Sequence, residues 1–402
     1  MNKPRAKIDF VYIDSGGGHR ATAIALDEMI RREKRPWDVR MRSVQDMLDP
    51  IDLVRKVSGV PQQEVYNILL RRGWTLGTAQ MIRLMHLVIR LQHRAQVRLM
   101  AEFWSRNKPD MVVSLIPNFN RAMFDALAVA APGVPLVTVL TDLADYPPNF
   151  WIEKQPQYFV CGTARSVEQA RALGHAEDRI LRTSGMILHP RFYECAGVDR
   201  DAEREKLGLR AGVPTGVVLF GGEGTRDIVK TVRALNRPGM DLQLIVLCGK
   251  HRSALEEVRA MRQHIPIHAE GFTREIPRFM ALSDFFIGKP GPGSISEALA
   301  MGLPVIVERN IWTLVQERFN AEWVAEQGIG IVIDDLSKSA EAVKQLLAPE
   351  NYEAFRRKAL ASRSFAVFET PAMLEAIMEH HFHGASMMAR RQVIGVQPEV
   401  FV

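Results

Sequence analysis

Three glycine-rich turns each stand between an apolar run and a helical pattern: SGGGHR at 15–20, FGGEGTR at 220–226 and GKPGPGSISEAL at 288–299. A glycine turn feeding a helix presents unpaired backbone N–H groups, and the helix dipole adds partial positive charge, so such turns suit phosphate. In the first turn Gly16, Gly17 and Gly18 deliver His19 to the helix start. A positive helix end disfavours imidazolium, so a neutral His19 can accept a proton from a bound hydroxyl. The alternative is an ordinary polar residue at an exposed helix N-terminus. In the third turn Pro292 and Gly293 stop the strand and let the backbone approach a ligand, while Ser294 and Glu297 match the Ser-x-x-Glu capping box. Equally, Glu297 can accept hydrogen bonds from a ribose diol while the amides of Gly291 and Gly293 face a diphosphate.

Other phosphate and metal chemistries find less support. Gly16, Gly18 and Ala21 satisfy a dinucleotide fingerprint formally, but the next strand, VRMRSV, ends without the acidic residue a ribose would need, and Asp46 lies beyond it. There is no G-K-[ST] phosphate loop, no HExxH and no Asp-x-Asp pair in a strand-end loop; His380, His381 and His383 read as a solvated helix end. Phosphate is expected to be held by backbone dipoles and basic side chains, with no metal and no cofactor.

The elements that must position these turns follow from periodicity. Short apolar runs at 8–13, 38–44, 110–116, 135–141 and 157–162 alternate with helical patterns. The alternation weakens over 185–213 and restarts at 215–224, 242–249, 266–272, 284–291 and 304–308. This pattern predicts an α/β fold of two Rossmann-like domains facing a cleft. The first spans 1–195, the second 196–370, and a terminal helix and tail, 371–402, is free to cross back to the first. In open parallel sheets ligands bind beyond the carboxyl ends of strands, where all three turns fall. The stretch 71–106 breaks the alternation as a long basic amphipathic helix. Arg83, His86, Arg90, Arg94 and Arg98 lie near one face, which suits an anionic bilayer or plain solvation.

Composition bounds the rest. The chain has 402 residues, 47% apolar and 24% charged, with three cysteines at no metal-binding spacing and a formal net charge of +6. A reducing, cytoplasmic setting is expected, with neither signal peptide nor membrane span; anionic partners are favoured, nucleic acid not among them.

The blocks DSGGGHRATA, VTVLTDL, GMILHPRF, VVLFGGEG, LIVLCGK, the GF of AEGF and GKPGPGSISEALAMGLPVIV keep the order seen in glycosyltransferase family 28. The chain resembles that family, and within it the monogalactosyldiacylglycerol synthases and bacterial diacylglycerol glucosyltransferases, over about 8–333. The resemblance implies a GT-B fold and inverting transfer of galactose or glucose from a UDP-sugar to diacylglycerol, without an essential metal. It implies His19 as general base, with Gly17, Gly18 and Asp142 on the acceptor side. Gly222 and Gly224 would lie beneath the diphosphate, Phe272 at the uracil and Glu297 at the ribose, beside Gly291, Gly293 and Ser294. Gln316 and Glu317, with Asn320 nearby, resemble the pair that grips the donor sugar. It also favours peripheral attachment to the inner membrane face through 71–106, with Trp74 and Trp104 as interfacial residues.

The sequence departs from the family where Thr313, Leu314 and Val315 replace Pro-Gly before Gln316-Glu317, and where Pro147 stands in place of a histidine after TDL. Asp142 and Asp145 are candidates for the missing acceptor contact. Competing readings are N-acetylglucosamine transfer to another lipid acceptor, a UDP-N-acetylglucosamine epimerase, and a non-catalytic membrane protein that senses a nucleotide sugar.

Overall fold

The computed structural model describes residues 5–14, 18–51, 86–195 and 197–393, without the side chains of 382–393. Ten of the apolar runs named above form strands, and the remaining two strands are short edge pieces. The first sheet holds β1 (Ala6–Tyr12), β2 (Trp37–Ser43), β3 (Met111–Ser114), β4 (Leu136–Val139), β5 (Tyr158–Cys161) and β6 (Ile180–Arg182). The second holds β7 (Thr215–Leu219), β8 (Gln243–Leu247), β9 (Ile267–Glu270), β10 (Phe285–Gly288), β11 (Val305–Glu308) and β12 (Gly330–Ile333). Every pairing is parallel, with register such as Phe10 opposite Val113 and Ile287 opposite Val218. Strands β3, β4, β7, β8 and β10 are buried at every residue, because helices cover both faces of a parallel sheet.

Strand order decides where a ligand can enter. The orders are β2-β1-β3-β4-β5-β6 and β12-β11-β10-β7-β8-β9. The first reverses between β1 and β3, the second between β7 and β10. Chains leaving either side of such a point diverge and open a crevice beyond the strand ends. The first turn, with His19 on α1 (Gly18–Arg32), follows β1; the second turn follows β7 and the third follows β10. All three chemically suggestive turns therefore stand at switch points.

Two helices tie the halves together. The start of α6 (Val315–Gln327), after β11, packs Phe319 against Leu143, Ala144 and Met186 of the first half. The last helix, α7 (Ala366–Val393), buries Leu374, Ile377 and Met378 in the cluster that includes Ala23, Leu26 and Ile30 of α1. Ser364 Oγ, just before it, donates to the Met186 carbonyl at 2.7 Å, and Arg35 Nη1 donates to Glu375 Oε2 at 2.6 Å.

The long basic stretch is not one helix. Within its described part, a helical segment at 86–91 is interrupted at Gln92 before α2 (His93–Arg106) begins. Arg90, Arg94 and Arg98 are exposed, as are Leu87 and Leu91; Trp74 and Arg83 lie outside the described residues. Trp104 is no interfacial residue: it is fully buried, and its indole Nε1 donates to Asp9 Oδ2 at 3.1 Å. Asp9 also accepts from Arg40 Nε at 2.6 Å, so Trp104 is drawn inward by a buried carboxylate in mid-strand. No helix among the described residues is long and apolar enough to cross a membrane.

Gly288 shows how tightly the third turn is launched. A Cβ there would lie 2.2 Å from the Leu219 carbonyl oxygen and 2.6 Å from the Phe286 ring, whereas a Cβ on Gly293 would meet nothing within 4 Å. Gly288→Ala is expected to cost about 1–3 kcal/mol through overpacking, and Gly293→Ala less than about 0.5 kcal/mol in either direction. Urea unfolding measures both: the midpoint should fall for the first at unchanged slope. Equal midpoints for the two variants would contradict this packing.

Candidate active site

His19 occupies the first turn of α1, immediately after the glycines. Gly17 lies outside the described residues; Gly18 opens the helix, and a Cβ there would meet nothing within 4 Å. The imidazole Nδ1 and Thr141 Oγ1 are 2.9 Å apart in a hydrogen bond, and the ring lies 5.8 Å from that of Trp151. Burial pushes its pKa down to about 4, and the Leu115 carbonyl, favouring a ring N–H, opposes this to a smaller extent. The ring is therefore neutral at physiological pH.

The same loop beyond β4 carries two aspartates with different tasks. Asp142 Oδ2 accepts from Trp151 Nε1 at 2.8 Å. Burial raises the Asp142 pKa to about 7; the Trp151 donor opposes this, the Glu317 and Asp145 carboxylates add to it, and the Lys289 ammonium opposes it. Asp145 is spent on the backbone: its carboxylate accepts from the N–H groups of Asn149 at 2.9 Å and Trp151 at 2.6 Å. Asp145 thus fixes the loop that sets Trp151 against His19, and its oxygens are turned away from an acceptor role.

On the facing half, the second turn needs its glycines for two reasons. Gly221 and Gly224 have φ of +80° and +70°, and a Cβ on Gly224 would lie 2.2 Å from the Cys248 carbonyl oxygen. Gly222 accepts from the Lys250 N–H at 3.0 Å, and a Cβ there would meet open space. Beside this turn a cavity of about 310 Å³ is lined by Glu223, Lys250, His251 and Arg252. Phe272, 60% exposed, follows β9, and Lys250 Nζ stands 5.9 Å from its ring centre. An exposed aromatic ring at the end of a strand is available for a flat base to lie against.

The third turn corrects one reading of the sequence. Its helix, α5 (Pro292–Ala300), starts with Pro292 at the first position and Gly291 as N-cap, with no side-chain capping bond. Ser294 is the third residue inside the helix, so the Ser294–Glu297 capping box does not form. Proline, lacking an N–H and fixed near helical φ, starts the helix three residues early. Glu297 is released from that duty. Among the described residues no side-chain hydrogen bond reaches its half-buried carboxylate, and burial pushes its pKa up to about 7.

Glu317, buried in the first turn of α6, accepts from Lys289 Nζ at 2.7 Å. Gln316 is half-buried beside it. Asn320 is buried, and its amide donates to the Pro290 carbonyl at 2.8 Å, pinning the third turn. The two halves meet here: the rings of Tyr146 and Phe319 are 5.2 Å apart, and Asp142 feels the charges of Glu317 and Lys289. The structure thus brings His19 and Asp142 of one half toward Glu317 of the other. Phe272, two strands from the switch point, stands apart at the edge strand β9.

Sequence reasoning passed over Lys289, Thr141 and Trp151. Lys289 sits within the quoted turn, yet no following serine or threonine makes it a familiar phosphate lysine. Thr141 precedes the quoted Asp142. Trp151 carries no local signal, since only the tertiary path of the loop brings it to His19. Among the described residues no three His, Cys, Asp or Glu side chains gather into a metal-binding cluster.

The match to known proteins fits this geometry. Residues 216–373 match the glycosyltransferase family 28 C-terminal domain. The chain is 28% identical over 394 residues to a probable monogalactosyldiacylglycerol synthase 2, chloroplastic, of Oryza sativa subsp. japonica, covering 92% of this chain and 78% of the relative. Among solved structures it resembles CalG4, the calicheamicin glycosyltransferase, with a TM-score of 0.60 at 16% identity over 95% of this chain and 99% of that one. It resembles the UDP-GlcNAc 2-epimerase of Neisseria meningitidis with a TM-score of 0.58 at 12% identity, over 93% and 100%. These two likenesses bear on the fold alone. With the family 28 C-terminal domain spanning the second and third turns, and sequence likeness running through the His19 half as well, the chain is a glycosyltransferase with the GT-B fold that resembles family 28.

Proposed function

We propose that this chain transfers a hexose, galactose first among the candidates, from a UDP-sugar to diacylglycerol with inversion at the anomeric carbon. The observation that carries the reading is His19, hydrogen-bonded to Thr141 on one half of the molecule, with the adjoining Asp142 within reach of the charges of Glu317 and Lys289 on the other. The likeness to a monogalactosyldiacylglycerol synthase over 92% of the chain supports the acceptor.

In this reading the neutral ring of His19 keeps one nitrogen lone pair, which takes the proton of the diacylglycerol hydroxyl as its oxygen attacks the sugar. The new bond forms on the face opposite UDP, which departs with the electron pair of the broken C–O bond. Backbone amides of the second and third turns and the dipole of α5 stabilise the growing negative charge on UDP. Glu297 takes the ribose hydroxyls, Phe272 the uracil, and Gln316 with Glu317 the sugar hydroxyls, where exact hydrogen-bond partners give the most discrimination. The exposed Arg90, Arg94 and Arg98 beside Leu87 and Leu91 support peripheral binding to an anionic membrane surface.

Two measurements test this. Purified protein is offered UDP-galactose, UDP-glucose and UDP-N-acetylglucosamine with diacylglycerol in anionic vesicles, and products are read by mass spectrometry. One hexosyl donor should yield a glycolipid, and His19→Ala should lower its rate about 10²–10⁴-fold, the usual worth of a general base. Glycolipid formation undiminished in that variant contradicts the role of His19, and acceptor-independent conversion of UDP-N-acetylglucosamine supports the epimerase. Second, the His19 ring, assigned by comparing labelled-histidine NMR spectra with those of His19→Gln, should titrate near pH 4. Because burial lowers this pKa, the ring gains charge only as pH falls through that region. A midpoint at or above the ordinary 6.5 contradicts a neutral base held by burial.

A further inference from the structure

Among the charged side chains near the donor turns that the mechanism gives no task, Lys289 lies between two of those turns. Lys289 follows Gly288 at the end of β10, and its stem runs through the slot between the second and third turns. A Cβ on Gly221 would come within 3.4 Å of its Cε; one on Gly291 would come within 3.5 Å of Cε and 4.0 Å of Nζ. These distances are ordinary van der Waals contacts, so the two glycine positions flank the lysine stem on either side. At its end the ammonium donates to Glu317 Oε1 at 2.7 Å. The lysine side chain keeps 35% of its exposure and the glutamate only 10%, so the cation, not the carboxylate, faces the open cleft.

We propose that Lys289 is a donor-binding residue that takes the diphosphate of the nucleotide sugar, with Glu317 holding it in position. The inference rests on the UDP-sugar reading and adds to it the one group in the slot able to neutralise phosphate charge directly. An ammonium carries three N–H donors on a flexible stem. One donor suffices for Glu317, and the other two point toward whatever anion sits over the turns. The resulting row is carboxylate, ammonium, phosphate, with charges alternating. Without the lysine, Glu317 would face the diphosphate as like against like. Negative charge on the departing UDP grows as the sugar bond breaks, so a fixed neighbouring cation stabilises the transition state more than the ground state. The same ion pair orients Glu317, so donor binding and sugar recognition are joined through one contact.

The test is calorimetric binding of uridine, UMP and UDP to the wild type, Lys289→Met, Lys289→Arg and Glu317→Gln. Lys289→Met should weaken UDP binding about 10- to 100-fold, the range for loss of a charge-assisted hydrogen bond, and leave uridine within about twofold. Lys289→Arg should restore most of the UDP affinity. Glu317→Gln should keep the preference for UDP over uridine while lowering the transfer rate. An unchanged UDP affinity in Lys289→Met overturns the proposal, as does a parallel fall for uridine and UDP, which would make the lysine a support for the pocket as a whole. The UDP-sugar reading survives either result. If the wild type binds no UDP, that reading falls and this inference falls with it.

Discussion

A parallel sheet delivers every strand to the same end, so every following helix begins there with its amides and its positive dipole end pointing outward. This constraint governs the whole molecule. With two such sheets, the switch points between β1 and β3 and between β7 and β10 become crevices, and the residues placed there are forced into a small set of conformations. Glycines stand where φ turns positive or where a Cβ would strike a carbonyl, as at Gly224 beside Cys248. His19 stands where a helix start meets a covering of Trp151 and Thr141. The site is a consequence of how the strands are ordered.

Burial acts on the titratable groups of both halves, raising the Glu297 pKa as it does that of Asp142. On the His19 side it favours neutral forms: the imidazole loses its proton readily, and Asp142 holds its proton to about pH 7. On the facing side Glu317, more buried than the lysine beside it, is kept company by Lys289 at 2.7 Å. A buried carboxylate without such a partner would carry a large desolvation cost. The His19 half is suited to a neutral nucleophile that sheds a proton, and on the facing half the Lys289 ammonium is available to an anion that gathers charge. Transfer of a sugar to an alcohol needs both, in that arrangement.

Much of this was legible in the sequence, and the failures have physical causes. Apolar runs such as VVLF and LIVL marked buried strands because a doubly covered parallel strand has no polar face. The three glycine turns were visible because turn chemistry is local. The Ser294 cap failed since Pro292 competes for the helix start and wins through its fixed φ. Trp104 lies inside because the buried Asp9 of β1, distant in the chain, supplies its indole with a partner, and no local pattern encodes that. Lys289 and Trp151 were missed for the same reason: their meaning lies in contacts with Glu317 and His19, far away in the chain.

The central claim is a single displacement, with the acceptor activated on the His19 half and UDP leaving from the glycine turns. The measurement that tests it most directly is the anomeric configuration of the glycolipid made from UDP-galactose and diacylglycerol vesicles, read from the proton NMR coupling at the anomeric carbon. The donor is α-linked, so attack from the face opposite UDP predicts a β-linked galactolipid. An α-linked product would contradict the account, since it requires the acceptor to enter from the side that UDP leaves.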